Sequence, residues 1–340
     1  MLNSPYPFEM VFKLFFVTDV HGSEMCFRKF LSALKVYKVD AGILLGDLTG
    51  KMINPIIEQP DGTYVCDFLG KRHVLRTPEE LEEMKKRIAL VGNYYYITTP
   101  EEVERLMAEG KTIKGRIDEK AKKITLVKGK VEELFDRLVC ERLEHWMRLA
   151  NERLKGIGVK MYIAPGNDDI HEIDKVLDRE SSDYVISCGD RKVYVEDHEM
   201  ITLSWSNPTP WDTPRECSEE ELAAKIESLV SQIEDMESAI FNFHVPPYNT
   251  LLDVAPKLSK DLTPSVGEEA HVGSTSVLEA IKKYQPLLGL HGHIHESRGV
   301  QRIGRTVCLN PGSEYTEGIL RGVIIFLEKY KVRRYMFTSG

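Results

Sequence analysis

Seven polar residues in this chain stand where a hydrophobic run stops, and their types are those that hold divalent cations. Asp19 and His21 follow the run Val11 to Val17, where a carboxylate and an imidazole in one loop can turn toward the same ion. Gly46-Asp47 follows Ala41 to Leu45. Gly46 permits close backbone approach, and the two oxygens of Asp47 can each bind a different cation. Gly166-Asn167 closes the run Val159 to Ala164 with a neutral amide oxygen, which limits the charge crowded into a site. His244 ends Ala239 to Phe243, and Gly292-His293-Ile294-His295 follows Leu287 to Leu290 with two imidazoles on one side of an extended segment.

Taken singly, these residues have ordinary structural uses. Asp-x-His can be a turn with a helix-capping aspartate, Gly-Asn a turn, and a lone histidine a satisfied core or surface residue. Five of the ten histidines (His21, His244, His291, His293 and His295), joined to two aspartates and an asparagine at predicted strand ends, point instead to a metal site.

The elements that must position these groups are legible from periodicity. The five hydrophobic runs are short and rich in β-branched and aromatic residues, as buried strands are. Between them lie helical patterns: Phe27, Phe30, Leu31 and Leu34; a long one from Val131 to Leu154; and one opening at Ser218 with Glu221 as a capping box. Strands alternating with helices imply a layered α/β fold, in which ligands gather at the carboxyl ends of strands. Lys51 to Lys128 interrupts the alternation and reads as an inserted cap within a domain spanning 1–340. It carries two similar helix starts, Thr77-Pro78-Glu79-Glu80 and Thr99-Pro100-Glu101-Glu102, either a duplicated strand-helix unit or two independent uses of a common start. Its basic residues Lys71, Arg72, His73 and Arg76, and the run Arg116, Lys120, Lys122, Lys123, Lys128 and Lys130, read first as a solvated face and second as phosphate contacts. From Thr306 to Met336 the chain reads as strands closing the sheet.

The ordered set D-x-H, G-D, G-N, H and G-H-x-H resembles the calcineurin-like metallophosphoesterase superfamily. His271-Val272-Gly273-Ser274 and Asn310-Pro311-Gly312-Ser313 are similar to its bacterial and archaeal cytosolic branch. The resemblance implies a two-sheet β-sandwich flanked by helices, here with a small α/β cap inserted. It further implies that Asp19, His21 and His295 hold one metal, that Asn167, His244 and His293 hold the second, and that Asp47 bridges both. Manganese is the first choice by resemblance, with iron, zinc or nickel as alternatives; mixed carboxylate, amide and imidazole ligands suit such ions. The implied reaction is hydrolysis of a phosphodiester, or less readily a phosphomonoester, by attack of a metal-bridging hydroxide.

Many members have histidine after the G-N asparagine, where it helps to protonate the leaving group; here Asp168 stands, followed by Asp169. An ordinary aspartate is ionised at neutral pH, so leaving groups that need little protonation are expected to be favoured. His271 is a candidate to assist from the substrate side, set against its reading as a helix-flanking surface residue. The candidate catalytic residues are thus Asp47, Asn167, Asp168 and His271, with His291 a structural neighbour.

The expected substrate is a small phosphorylated metabolite or nucleotide. A net charge of −8 argues against holding nucleic acid by a global positive field, though a local patch would still allow it; a nuclease and a non-catalytic metal-binding scaffold are the competing readings. The six cysteines form no C-x-x-C pair, and Val11 to Val17 is too short to span a bilayer. A reducing, cytoplasmic setting is therefore expected, with no membrane partner. Association into a homo-oligomer is left open.

Overall fold

The computed structural model describes residues 11–110, 114–118, 123–127, 129–259 and 264–340. The anticipated strands form with boundaries shifted by a residue or so, and they divide between two six-stranded sheets. The first runs in the order Val185–Ser187, Lys160–Ala164, Ala41–Leu45, Phe12–Thr18, Arg321–Glu328, Lys331–Ser339. Its first four strands are parallel and its last two antiparallel. The second runs Lys192–Val195, His198–Leu203, Ile240–Phe243, Leu288–Leu290, Thr306–Asn310, Gly299–Ile303, with the four inner strands parallel.

Strand alternation sorts the core into layers. Leu14 and Phe16 face the second sheet and pack with Ile240, Leu288, Leu290 and Leu309. Their neighbours Phe15 and Val17 face the opposite way, toward helices Glu24–Val36 and Lys130–Lys155, where Phe27 stacks flat on Trp146 at 4.2 Å. The outer face of the second sheet is covered by helices Glu219–Val230 and Thr275–Tyr284 through Leu222, Ile226, Val277 and Ile281. The result is the two-sheet sandwich flanked by helices. The C-terminal stretch does not close one sheet, however. Thr306–Asn310 joins the second sheet, whereas Arg321–Glu328 and Lys331–Ser339 extend the first.

Between Ala41–Leu45 and the long helix the chain builds a separate four-stranded sheet, ordered Lys71–Leu75, Tyr64–Phe68, Ile53–Glu58, Tyr94–Thr98. It has its own small core of Ile56, Cys66, Phe68, Leu75, Met84 and Ile88. Both predicted helix starts are used. Thr77 and Glu80 cap each other at the head of Pro78–Leu90, and Thr99 Oγ1 accepts from Glu102 N (3.3 Å) at the head of Pro100–Gly110. Each helix follows a strand, but the two strands lie at opposite edges of the small sheet. Lys71, Arg72 and Arg76 are exposed and His73 half-buried, whereas Lys120, Lys122 and Lys128 lie outside the described residues. All six cysteines are free thiols. Among the described residues no helix is long and apolar enough to cross a membrane.

Candidate metal centre

Asp19, Asp47 and Asn167 leave adjacent strands of the first sheet, while His244, His293 and His295 leave adjacent strands of the second. Parallel strands in neighbouring sheets therefore bring both sets to one edge of the sandwich. Four of the seven residues hold left-handed backbone without being glycine: Asp19 (φ 54°), His21 (φ 41°), Asp47 (φ 44°) and His293 (φ 67°). Such conformations persist where surrounding contacts over-determine them, and they concentrate at functional sites. The contacts here are specific. Thr18 Oγ1 donates to Asp19 Oδ2 (2.7 Å), His293 N donates to the same oxygen (3.0 Å), and Ser313 Oγ donates to the Asp19 carbonyl (2.6 Å).

Gly46 enters its turn at φ 64°, and any Cβ there would collide with the imidazole of His244. A Cβ on Gly166 would likewise strike Asp47 Oδ1 and Asp47 N. These two glycines let three strand-end loops close on one another.

The side chains fall into two groups that share one member. Ligating atoms of Asp19, His21, Asp47 and His295 lie within 4.8 Å of one another, and so do those of Asp47, His244 and His293. In the first group His21 Nε2 faces His295 Nε2 at 3.1 Å, with Asp47 Oδ2 3.6 Å from the former and Asp19 Oδ1 3.5 Å from the latter. In the second, His244 Nε2 lies 2.9 Å from Asn167 Oδ1 and 3.4 Å from Asp47 Oδ1. Thr213 Oγ1 accepts from Asn167 Nδ2 (2.8 Å), which aims the amide oxygen inward.

Asp19, His21, Asp47, Asn167 and His244 are buried, whereas the His295 side chain is 30% exposed and opens the cluster to solvent. Burial opposes ionisation of Asp47, but the charges of His244, His21 and His293 and a hydrogen bond to His244 hold its carboxyl well below the usual carboxylate range. Asp19 is lowered in the same way, against burial, chiefly by His295 and His244.

The imidazoles divide. Burial pushes His21 down to about 3 and His293 to about 4, while the surrounding carboxylates, Asp47 foremost, overcome burial and lift His244 to about 9. Two buried carboxylates thus face rings that cannot all carry a proton. Only one proton can lie between the His21 and His295 nitrogens, and His21 Nδ1 and His244 Nδ1 have no hydrogen-bond partner. Converging oxygen and nitrogen lone pairs with this charge deficit fit divalent cations of the transition series.

The chain matches no protein-family profile. The uncharacterized protein MJ1162 of Methanocaldococcus jannaschii is 34% identical to it over 156 residues, which is 45% of this chain and 64% of that protein. The chain thus spans less than two-thirds of that relative's length. One crystal structure aligns over 97% of this chain and 99% of its own, at 14% identity and a TM-score of 0.57. The protein TT1561 of Thermus thermophilus aligns over the same shares at 13% identity and a TM-score of 0.49, and nothing is built on that looser likeness. The fold is that of the calcineurin-like metallophosphoesterases.

Within this metallophosphoesterase fold several residues beyond the seven shape the site. Asp168 donates its backbone N–H to Asp47 Oδ1 (3.0 Å), and its carboxylate forms an ion pair with Lys51 and lies 3.8 Å from His21 Nδ1. Burial and the Asp47 charge raise its carboxyl, with Lys51 opposing them. Asp169 is buried and accepts from Gly166 N, Leu48 N and Thr49 N, each at 2.9 Å, and from Thr49 Oγ1 (2.6 Å). It thereby ties the Asp47 loop to the Asn167 loop. Tyr315 packs its ring 4.6 Å from that of His21.

Sequence reading passed over Lys51, Thr213 and Tyr315, which lie outside the strand-end pattern; Ser313 was visible only as part of N-P-G-S. His291 is fully buried and donates Nδ1–H toward the carbonyls of Phe243 (2.9 Å) and Val245 (3.2 Å), fixing the strand ends that deliver His244 and His293. His271 stands apart. Its Nδ1 bonds Asp253 Oδ1 at 2.8 Å and its ring lies beside Tyr248; among the described residues no hydrogen bond or ion pair joins it to the seven.

Proposed function

We propose that this chain is a dinuclear metal-dependent phosphoric ester hydrolase acting on a small phosphorylated metabolite or nucleotide, on phosphodiesters ahead of phosphomonoesters. The observation that carries this reading is the sharing of Asp47 by two otherwise separate ligand groups. Asp19, His21 and His295 would hold one ion, Asn167, His244 and His293 the other, and the two Asp47 oxygens, directed to His21 and His244 respectively, would serve both. Manganese ranks first, followed by iron, zinc and nickel. Two such ions, when bound, polarise a phosphoryl group and lower the pKa of water.

The chain's own groups supply position. Asp169 and Thr213 fix the Asp47 and Asn167 loops, Tyr315 covers one face of His21, and the half-exposed Lys51 ammonium stands at the edge of the cluster, where it can bind an anionic oxygen of the ester. Asp168 occupies the position beside the amide and is engaged by Lys51, which supports esters of good leaving groups, aryl diesters before alkyl diesters. Equal rates on the two would refute that preference. The test of the hydrolase is metal-depleted protein titrated with manganese. Two ions per chain and turnover of an aryl phosphodiester are expected, with Asp47→Asn losing at least one ion and the turnover. Undiminished metal binding and rate in Asp47→Asn would overturn it.

A further inference from the structure

A cavity of ≈830 Å³ opens beside the metal cluster, and its chemistry differs from that of the cluster itself. Its apolar walls are Met52 and Ile53 from the start of the inserted segment, Val131 and Phe135 from helix Lys130–Lys155, and Ile170 and Pro214 from the loops around Asn167. Three chain positions make it continuous with the site. Lys51, at its mouth, forms the ion pair with Asp168, whose N–H donates to Asp47. Pro214 follows Thr213, the residue that holds the Asn167 amide. Ile170 follows Asp169, the brace between the two ligand loops. The volume is that of a pocket for a ring-sized or drug-sized group.

Charge narrows the occupant further. Apart from Lys51, the charged side chains lining the cavity are the acidic Glu132, Asp136 and Glu172. Carboxylates repel a second phosphate, so the cavity does not suit the far end of a polyphosphate. It suits an uncharged body with substantial apolar surface. We infer that this cavity is the specificity pocket for the organic substituent of the phosphoester, and that it selects a bulky, uncharged, ring-bearing group while Lys51 and the cluster take the phosphoryl group. The inference rests on the phosphoesterase reading and adds the substrate class to it. It gives the inserted segment a defined role, because Met52 and Ile53 form one wall and the core helix the facing one.

The test compares two phosphonates that cannot be hydrolysed and differ only by a phenyl ring, benzylphosphonate and methylphosphonate, titrated calorimetrically into the manganese-loaded protein. Burying one aromatic ring should make benzylphosphonate bind roughly ten-fold tighter or more. Val131→Trp fills the cavity from an exposed helix position outside the ligand set, and it should abolish that advantage while leaving methylphosphonate affinity unchanged. Met52→Trp, also exposed, should do the same from the facing wall and guards against a local effect of either variant on the helix. Equal affinity of the wild type for the two ligands, or an advantage that survives both tryptophans, overturns the pocket and leaves the hydrolase standing. Failure of the loaded protein to bind either phosphonate overturns the phosphoesterase reading and the pocket with it.

Discussion

Substituting Gly46 by alanine separates the backbone requirement of the site from its packing requirement. Gly46 has φ 64°, and left-handed backbone costs an L-residue about 1–2 kcal/mol. That cost alone can be read at Gly70, which has φ 71° in the turn between Tyr64–Phe68 and Lys71–Leu75 and where a Cβ would meet nothing within 4 Å. Gly70→Ala should therefore lose about 1–2 kcal/mol of unfolding free energy and no metal. At Gly46 the new methyl also collides with the fully buried His244 ring. Forcing such a ring aside in a packed interior adds about 1–3 kcal/mol, for a total of about 2–5 kcal/mol. Displacing His244 also moves Nε2 away from Asn167 Oδ1 and Asp47 Oδ1, so the second ligand group should fail. Urea unfolding of the metal-free proteins and counting of bound manganese give the two readouts. If Gly46→Ala is no less stable than Gly70→Ala and still holds two ions, the collision argument is wrong.

Three further outcomes follow from other contacts. Thr213→Val removes the acceptor that orients the Asn167 amide and should weaken manganese binding roughly 10- to 100-fold, as loss of an outer-shell partner commonly does; titration of metal-depleted protein measures it. Asp253 is fully buried and accepts from Asn249 N, Thr250 N and Gly273 N as well as bonding His271, so Asp253→Ala strands three backbone donors and should cost upwards of about 3 kcal/mol in urea unfolding. His198 is buried against the Ser238 carbonyl (2.8 Å), and burial holds its pKa below the ordinary histidine value. Above pH 6.5 the ring is neutral in both states and contributes no slope. As pH falls below 6.5 the unfolded chain takes up the proton first, so stability should drop by at most about 1.4 kcal/mol per pH unit until the folded pKa is reached. Denaturant midpoints from pH 7 to 5 should fall less steeply in His198→Asn, and identical slopes would count against the assignment.

The layered fold was legible because its inner strands are uninterrupted apolar runs, each ending in a polar residue, and its helices carry clear apolar faces and capping pairs such as Ser218 with Glu221. The placement of Asp19, Asp47, Asn167 and the three late histidines at one edge follows from the same pattern. Elements without it were missed. The strand His198–Leu203 opens with a histidine and a glutamate, and the hairpin Val254–Leu258 with Pro264–His271 contains proline in both arms and a glycine in the second. Left-handed backbone at Asp19, His21, Asp47 and His293 leaves no mark in residue type, because contacts from distant loops impose it. Lys51 is illegible for a related reason: its partner Asp168 is far along the chain, and a single lysine after a loop has no periodicity to betray it.

The division of the site between the two sheets also sets an order of assembly. Asp19, Asp47 and Asn167, the oxygen donors, belong to strands of the first sheet, whereas His244, His293 and His295 arrive with the second. During synthesis the oxygen-rich half leaves the ribosome first, and by itself it is a ligand set suited to magnesium or calcium. Preference for a transition metal arises only once the late imidazoles dock, so the choice of ion is made by the last quarter of the chain. A truncated or stalled product would lack the means to sequester scarce metals.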